Sequence, residues 1–172
     1  AQRLAIEADP TWKENDPRAG REGLKAARAI GMISYRHYDT FAQTQAEKSD
    51  DTVDDFRAAT YQRYQGEKLA NRFNAFTYWL LSKMMDSHNV GRNRGGVEAA
   101  LKTIKAKALV IGIETDVLFP LQEQKYLADH IPNATLEVIQ SVYGHDGFLV
   151  EFDQMKKIIK HFLNKTLSKV LI

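Results

Sequence analysis

The sequence holds no cysteine. That removes disulfides, thiolate metal sites and a cysteine nucleophile, and makes a reducing cytoplasm the expected compartment. Long apolar runs are missing too. The longest apolar-rich stretch, Phe73 to Met85, is broken by Asn74, Thr77, Ser82 and Lys83. It falls short of the roughly 20 residues that a bilayer span needs, so no membrane partner is expected. The opening residues through Trp12 are neither basic nor followed by an apolar stretch, unlike a secretory leader. No charge of one sign dominates: 24 basic residues face 22 acidic ones, a net of +2. The short basic run at Arg92 and Arg94 is interrupted by glycines. Nucleic acid is therefore not an expected partner. His37, His88, His130 and His161 show no metal-ligand spacing, and no metal or other cofactor is expected.

What is present is ordinary globular composition, 44% hydrophobic over 172 residues, enough for one domain with a sizeable core. The chain divides into three parts. Residues 1–20 begin with a short helical pattern from Leu4 to Ala8. Asp9-Pro10, Asp16-Pro17 and Gly20 then mark a loop. Residues 21–103 read as mostly helical. Leu24, Ala27, Gly31 and Tyr35 share one face of a first helix. A polar loop is expected from Asp39 to Ser49. A second helix starts at Asp51 or Thr52, carries Val53, Phe56 and Tyr64, and is ended or bent by Gly66. A third helix carries Leu69, Phe73, Phe76, Leu80 and Met84 at a 3.6-residue period. A turn over Gly91 to Gly96 leads to a short helix over Val97 to Ile104.

Residues 104–172 change character. Ala106 to Ile113 has the continuous apolar run of a buried parallel strand. Pro120 opens a helix to His130, Ile131-Pro132-Asn133 is a turn, and Ala134 to Gln140 is a second strand. A loop over Ser141 to Phe148 precedes an amphipathic helix with Phe152, Met155, Ile158, Ile159 and Phe162. Strand, helix, strand, helix is the pattern of a parallel α/β sheet. Two parallel strands are not expected to stand alone, so the rest of the sheet is expected outside this chain, in sequence N-terminal to it.

Asp116 follows the first strand by three residues, at the sheet edge where sites assemble in open α/β folds. It reads either as a helix cap before Pro120 or as a catalytic acid. His145 follows the second strand, in Tyr143-Gly144-His145-Asp146-Gly147. It reads either as a surface-loop histidine or as a general base presented by its flanking glycines. Neighbouring parallel strands would bring both to one edge, in the acid-then-histidine order of α/β-hydrolases. Arg28 sits on the apolar face of the first helix. There it is either a structural ion pair or a binder of a planar anion. Asp146 either caps its turn or binds a cationic group. The nucleophile of such a triad belongs in a G-x-S-x-G elbow before the acid. Ser34, Ser49, Ser82 and Ser87 all lack flanking glycines and none follows a buried strand, so no nucleophile is expected in this chain.

At these residues the sequence resembles the homoserine O-acetyltransferases. Thr115-Asp116-Val117-Leu118-Phe119-Pro120 is similar to the D-x-L-F-P stretch at the family's triad acid. Tyr143-Gly144-His145-Asp146-Gly147-Phe148-Leu149 is similar to the Y-G-H-D-x-F-L stretch at its triad histidine. Gly23 to Arg28 resembles the family's G-L-x-x-A-R helix. Tyr64 to Lys68, Arg72-Phe73 and Met85 to Arg92 resemble its lid, and Asp9 to Trp12 a segment before it. Asn74 and Phe76 depart from the family's usual Asp and Asn. The resemblance spans nearly all of residues 3–163.

It implies an α/β fold, the C-terminal part of an α/β-hydrolase with an inserted helical lid over 21–103 and core over 104–172. It also implies a ping-pong transfer of acetyl from acetyl-CoA, as co-substrate, to L-homoserine in methionine biosynthesis. His145 and Asp116 would be catalytic, Arg28 would hold the substrate carboxylate and Asp146 its ammonium. The serine would lie outside the chain, which alone would be inactive. A homodimer through the lid is implied as well. Succinyl-CoA as donor, serine or water as acceptor, and a non-catalytic lid and assembly module remain as alternatives.

Overall fold

The computed structural model describes residues 1–167, so residues 168–172 of the expected core segment lie outside the described residues. The chain forms two compact units. One takes 1–34 and 38–88; the other takes Tyr35–His37 and the chain from Asn89 on.

The first unit is helical. It contains α1 (Gln2–Glu7), nearly all of α2 (Arg21–Tyr35), α3 (Tyr38–Gln45), α4 (Arg57–Ala70) and α5 (Ala75–Ser87). Leu24 and Ala27 on α2 meet Ile6, Leu69, Ala70 and Ala75 in one buried cluster, with Trp12, Tyr78 and Trp79 packed against it. α1 and α5 are also joined by polar contacts, Arg3 to Asp86 at 2.5 Å and the Tyr78 hydroxyl to Gln2 at 2.7 Å. Arg21 bonds Glu67 and the Ala70 carbonyl, and Lys25 bonds Glu67 at 2.7 Å, which fastens α2 to α4.

Four expectations for this unit are corrected. The polar segment from Asp39 is not a loop throughout, because α3 forms there. Its Thr40 is buried, Phe41 meets the Tyr61 ring edge-on, and the Thr44 hydroxyl donates back to the Thr40 carbonyl. Tertiary contact thus outweighs the polar composition. The second helix begins at Arg57 rather than at residue 51 or 52, because Asp55 sits at φ 50, outside the right-handed helical region. Val53 is left exposed. Gly66 does not end α4, which continues to Ala70. A Cβ there would lie 3.0 Å from the Lys25 carbonyl oxygen, so the missing side chain admits the backbone of α2. The expected third helix is two elements: Leu69 belongs to α4, and Asn74 caps α5 by accepting from the Thr77 amide. α5 buries Ala75 and packs Tyr78 and Trp79 on the core, so Phe76, Leu80 and Met84 face outward. An apolar helix with residues all round offers two stripes, and periodicity does not say which one is covered.

The second unit is built on the parallel pair β1 (Ala108–Ile113) and β2 (Ala134–Ile139), in register from Ala108 opposite Ala134 to Ile113 opposite Ile139. α6 (Val97–Lys102) precedes them, α7 (Leu121–His130) connects them, and a 3-10 helix (Gly144–Leu149) leads into α8 (Phe152–Leu167). Ile113 and Ile139, the last residues of the two strands, are buried beside the segments that carry the candidate site. On α8, Met155, Ile158 and Phe162 are half-buried, whereas Phe152 is exposed. Among the described residues the sheet has these two strands and no more. No helix of the described residues is long and apolar enough to cross a membrane.

Asp9 is the polar anchor of the first unit. One carboxylate oxygen accepts the amide and hydroxyl of Thr11 and the other accepts the Gly23 amide at the start of α2. Burial alone raises the pKa of this carboxyl; the bonds from Gly23 and Thr11 outweigh it and hold the group below its ordinary 3.8. A lowered folded-state pKa gives stability that is present above the unfolded value and is lost as pH falls through the folded one. Asp9→Asn is therefore expected to cost about 2 kcal/mol at pH 7. In denaturant titrations the gap to the parent chain should narrow below pH ~4, and a gap independent of pH would refute this account.

Candidate active site

The parallel register brings the ends of β1 and β2 level, and the chain leaves both strands at the same edge. After β1 the backbone turns sharply, with the Asp116 amide donating to the Ile113 carbonyl at 3.2 Å. Asp116 is buried. Its Oδ1 accepts the amides of Leu118 (2.8 Å) and Phe119 (2.9 Å), which shapes the turn before α7. Its Oδ2 lies 2.8 Å from Nδ1 of His145. The carboxylate thus organises the turn and meets the imidazole at once. It is not the cap of α7, whose N-cap residue is Pro120.

A carboxylate only accepts, so Nδ1 of His145 carries the proton of that bond, and in the neutral imidazole Nε2 is the nitrogen with the free lone pair. Among the described residues Nε2 makes no hydrogen bond. The ring sits among aromatic side chains, with centroids 5.1 Å from Phe119, 5.5 Å from Phe148 and 6.0 Å from Tyr35. These walls fix the imidazole and leave its side chain only 23% exposed. A cavity of about 780 Å³ opens beside the pair, lined by Leu118, Phe119, Phe148 and Met155 as well as by Asp116 and His145. The arrangement is a shielded imidazole whose outer nitrogen can take and return a proton.

The other expected residues fall as follows. Asp146 faces the Arg36 guanidinium, Oδ2 to Nε 3.4 Å, with both side chains partly exposed. Arg28 is half-buried on α2 in the first unit and is not without a partner. Two contributors escaped the sequence reading. Tyr35-Arg36-His37 belongs to the second unit because it braces the histidine loop, Tyr35 against the ring and Arg36 against Asp146. Thr115 ties the acid turn to the same loop. No spacing rule points to Arg36, which lies far from Asp146 in the chain. Thr115 adjoins the acid in the quoted motif, and that adjacency was its one signal. Among the described residues no group of acidic or histidine side chains is arranged to hold a metal.

Comparison with known proteins bears on what this edge does. No family model matches the chain. It is 55% identical over 161 residues to a homoserine O-acetyltransferase of Cyclobacterium marinum, covering 94% of this chain and 46% of that protein. The chain therefore spans about half the length of the curated relatives it matches. A crystal structure of homoserine O-acetyltransferase from Bacillus anthracis superposes with a TM-score of 0.84 at 19% identity, over 95% of this chain and 47% of that one. The acetyl esterase MekB superposes with a TM-score of 0.74 at 21% identity, over 97% of this chain and 48% of that one. The sequence is similar to homoserine O-acetyltransferases over about half of their length, and the fold is part of an α/β-hydrolase fold.

Gly144 tests the brace. Its φ is +63, and a Cβ there would lie 2.8 Å from the His37 amide nitrogen. Gly144→Ala combines an unfavourable backbone conformation with a clash against backbone. It is expected to cost about 1–3 kcal/mol, measured by denaturant unfolding. A neutral substitution would show that Tyr35–His37 does not hold the loop.

Proposed function

We propose that this chain, similar over 94% of its length to a homoserine O-acetyltransferase, is the C-terminal half of such an enzyme and supplies the acid and base of its triad. The observation that carries the reading is the 2.8 Å bond from His145 Nδ1 to Asp116 Oδ2 at the strand ends. In the proposed reaction Nε2 of His145 takes the proton of a serine hydroxyl that lies outside this chain. The serine oxygen attacks the acetyl-CoA carbonyl, and the proton passes to the departing CoA sulfur. The base then takes the hydroxyl proton of L-homoserine, whose oxygen attacks the acetyl carbonyl; the serine oxygen leaves and receives that proton from His145. Asp116 holds the imidazole in the working tautomer and stabilises its charged form. The acetyl and homoserine assignments come from the relatives' names; the geometry supports the base chemistry.

By resemblance, Asp146 is assigned the substrate ammonium and Arg28 the substrate carboxylate. A cation reaching Asp146 must share it with Arg36. That pair is partly exposed, so loosening it costs about 1 kcal/mol at most. The outward Phe76, Leu80 and Met84 of α5 support a homodimer through the helical segment 21–103, read as the lid. The want of cysteine supports a reducing, cytoplasmic setting for the proposed reaction. A second reading, hydrolysis with water as acceptor, is favoured by the likeness to an acetyl esterase. A panel of acceptors on the full-length enzyme separates the two.

The chain alone, given acetyl-CoA and L-homoserine, is expected to release no CoA thiol above background. In a full-length homoserine O-acetyltransferase containing this segment, His145→Ala should lower kcat/KM about 10⁴-fold or more. Turnover by the isolated chain, or near-normal activity of the variant, would refute the assignment.

A further inference from the structure

The two loops that meet at the acid and the base leave the sheet where its ladder stops. The last backbone rung runs from the Glu114 amide to the Ile139 carbonyl at 3.3 Å. Beyond it a side chain takes over. The Thr115 hydroxyl lies 2.8 Å from the Ser141 carbonyl oxygen, and the Gly144 amide lies 3.2 Å from the same hydroxyl oxygen. A hydroxyl has one proton to give. It therefore donates to Ser141 and accepts from Gly144, a single arrangement in which all three groups are satisfied. Thr115 and Asp116, consecutive after β1, thus grip Gly144 and His145, consecutive after β2.

We propose that Thr115 is a positioning residue: its hydroxyl holds the loop after β2 at the distance and angle at which His145 Nδ1 meets Asp116. This rests on the reading of that pair as base and orienting acid. The argument is one of alternatives. Gly144 sits at φ +63, where its amide does not continue a ladder, and both Gly144 and Ser141 are buried. Without the hydroxyl, a buried amide and a buried carbonyl lose their partner, and the loop must move to satisfy them from water. The imidazole moves with it, because Gly144 directly precedes His145. The Ser141 hydroxyl ties the loop on its own side only, accepting the Tyr143 amide at 3.1 Å. That bond does not cross to the acid. Thr115 is partly buried and does not line the cavity beside the pair, so its part is played through His145.

The test uses a full-length homoserine O-acetyltransferase containing this segment, labelled with ¹⁵N in its histidines. NMR reports which nitrogen of His145 bears the proton and how fast that proton exchanges with water. Thr115→Val keeps the shape and removes the hydroxyl; Thr115→Ser keeps the hydroxyl. The valine variant is expected to exchange the Nδ1 proton about tenfold faster and to lose the fixed tautomer, while the β1 and β2 amides stay protected. The serine variant is expected to stay within about twofold of the parent, since it retains both bonds. An unchanged Nδ1 signal in Thr115→Val, or failure of Thr115→Ser to preserve it, overturns the proposal. So does loss of β1 and β2 protection together with the signal, which would make Thr115 a fold residue. The acyl-transfer assay is independent of this signal. If it fails while the valine and serine variants behave as stated, the catalytic reading falls and the strut stands.

Discussion

The structure of the candidate site depends on a hydrogen bond between groups that the sequence keeps well apart, Nδ1 of His145 and Oδ2 of Asp116. Its existence follows from the parallel register of β1 and β2, which end level at Ile113 and Ile139. A shift of one residue would turn every strand side chain to the opposite face and carry the two loops out of step. The apolar packing of the strands is therefore what sets the chemistry at their ends. Aromatic walls at Tyr35, Phe119 and Phe148 add shielding, which strengthens the hydrogen bond of the pair.

Asp116 shows how one carboxylate can serve two purposes. Oδ1 is used by the backbone of the following turn and Oδ2 by the imidazole. The first use orients the second, because a side chain pinned by two amides has little rotamer freedom left. Asp9 in the first unit follows the same logic without an imidazole, with amides of Thr11 and Gly23 on its two oxygens. In both places a buried carboxylate is tolerated because backbone donors surround it. The difference in chemistry lies in what else reaches the second oxygen.

The helical unit shows where sequence patterns lose resolution. α5 is apolar on more than one face, and the stripe with the better period, Phe76, Leu80 and Met84, is the exposed one. Ala75, Tyr78 and Trp79 are covered instead, because Ile6 and Trp12 arrive on that side from remote sequence. Gly66 misleads for a related reason. Glycine lowers helix propensity locally, yet here it lets α2 approach, and the contact outweighs the propensity.

The amino-acid sequence by itself determined the strand–helix–strand order, the placement of Asp116 and His145 at the ends of the two strands, the want of a serine elbow, and the likeness to homoserine O-acetyltransferases. Those depend on local period, turn residues and short motifs, which a chain displays in linear order. Only the tertiary structure decided that Thr115 bridges Ser141 and Gly144, that Arg36 faces Asp146, that Tyr35–His37 joins the second unit, and which face of α5 is covered. Each of these is a meeting of residues distant in the chain. Such meetings are set by packing and by the need of buried polar groups for partners, and no local pattern records them.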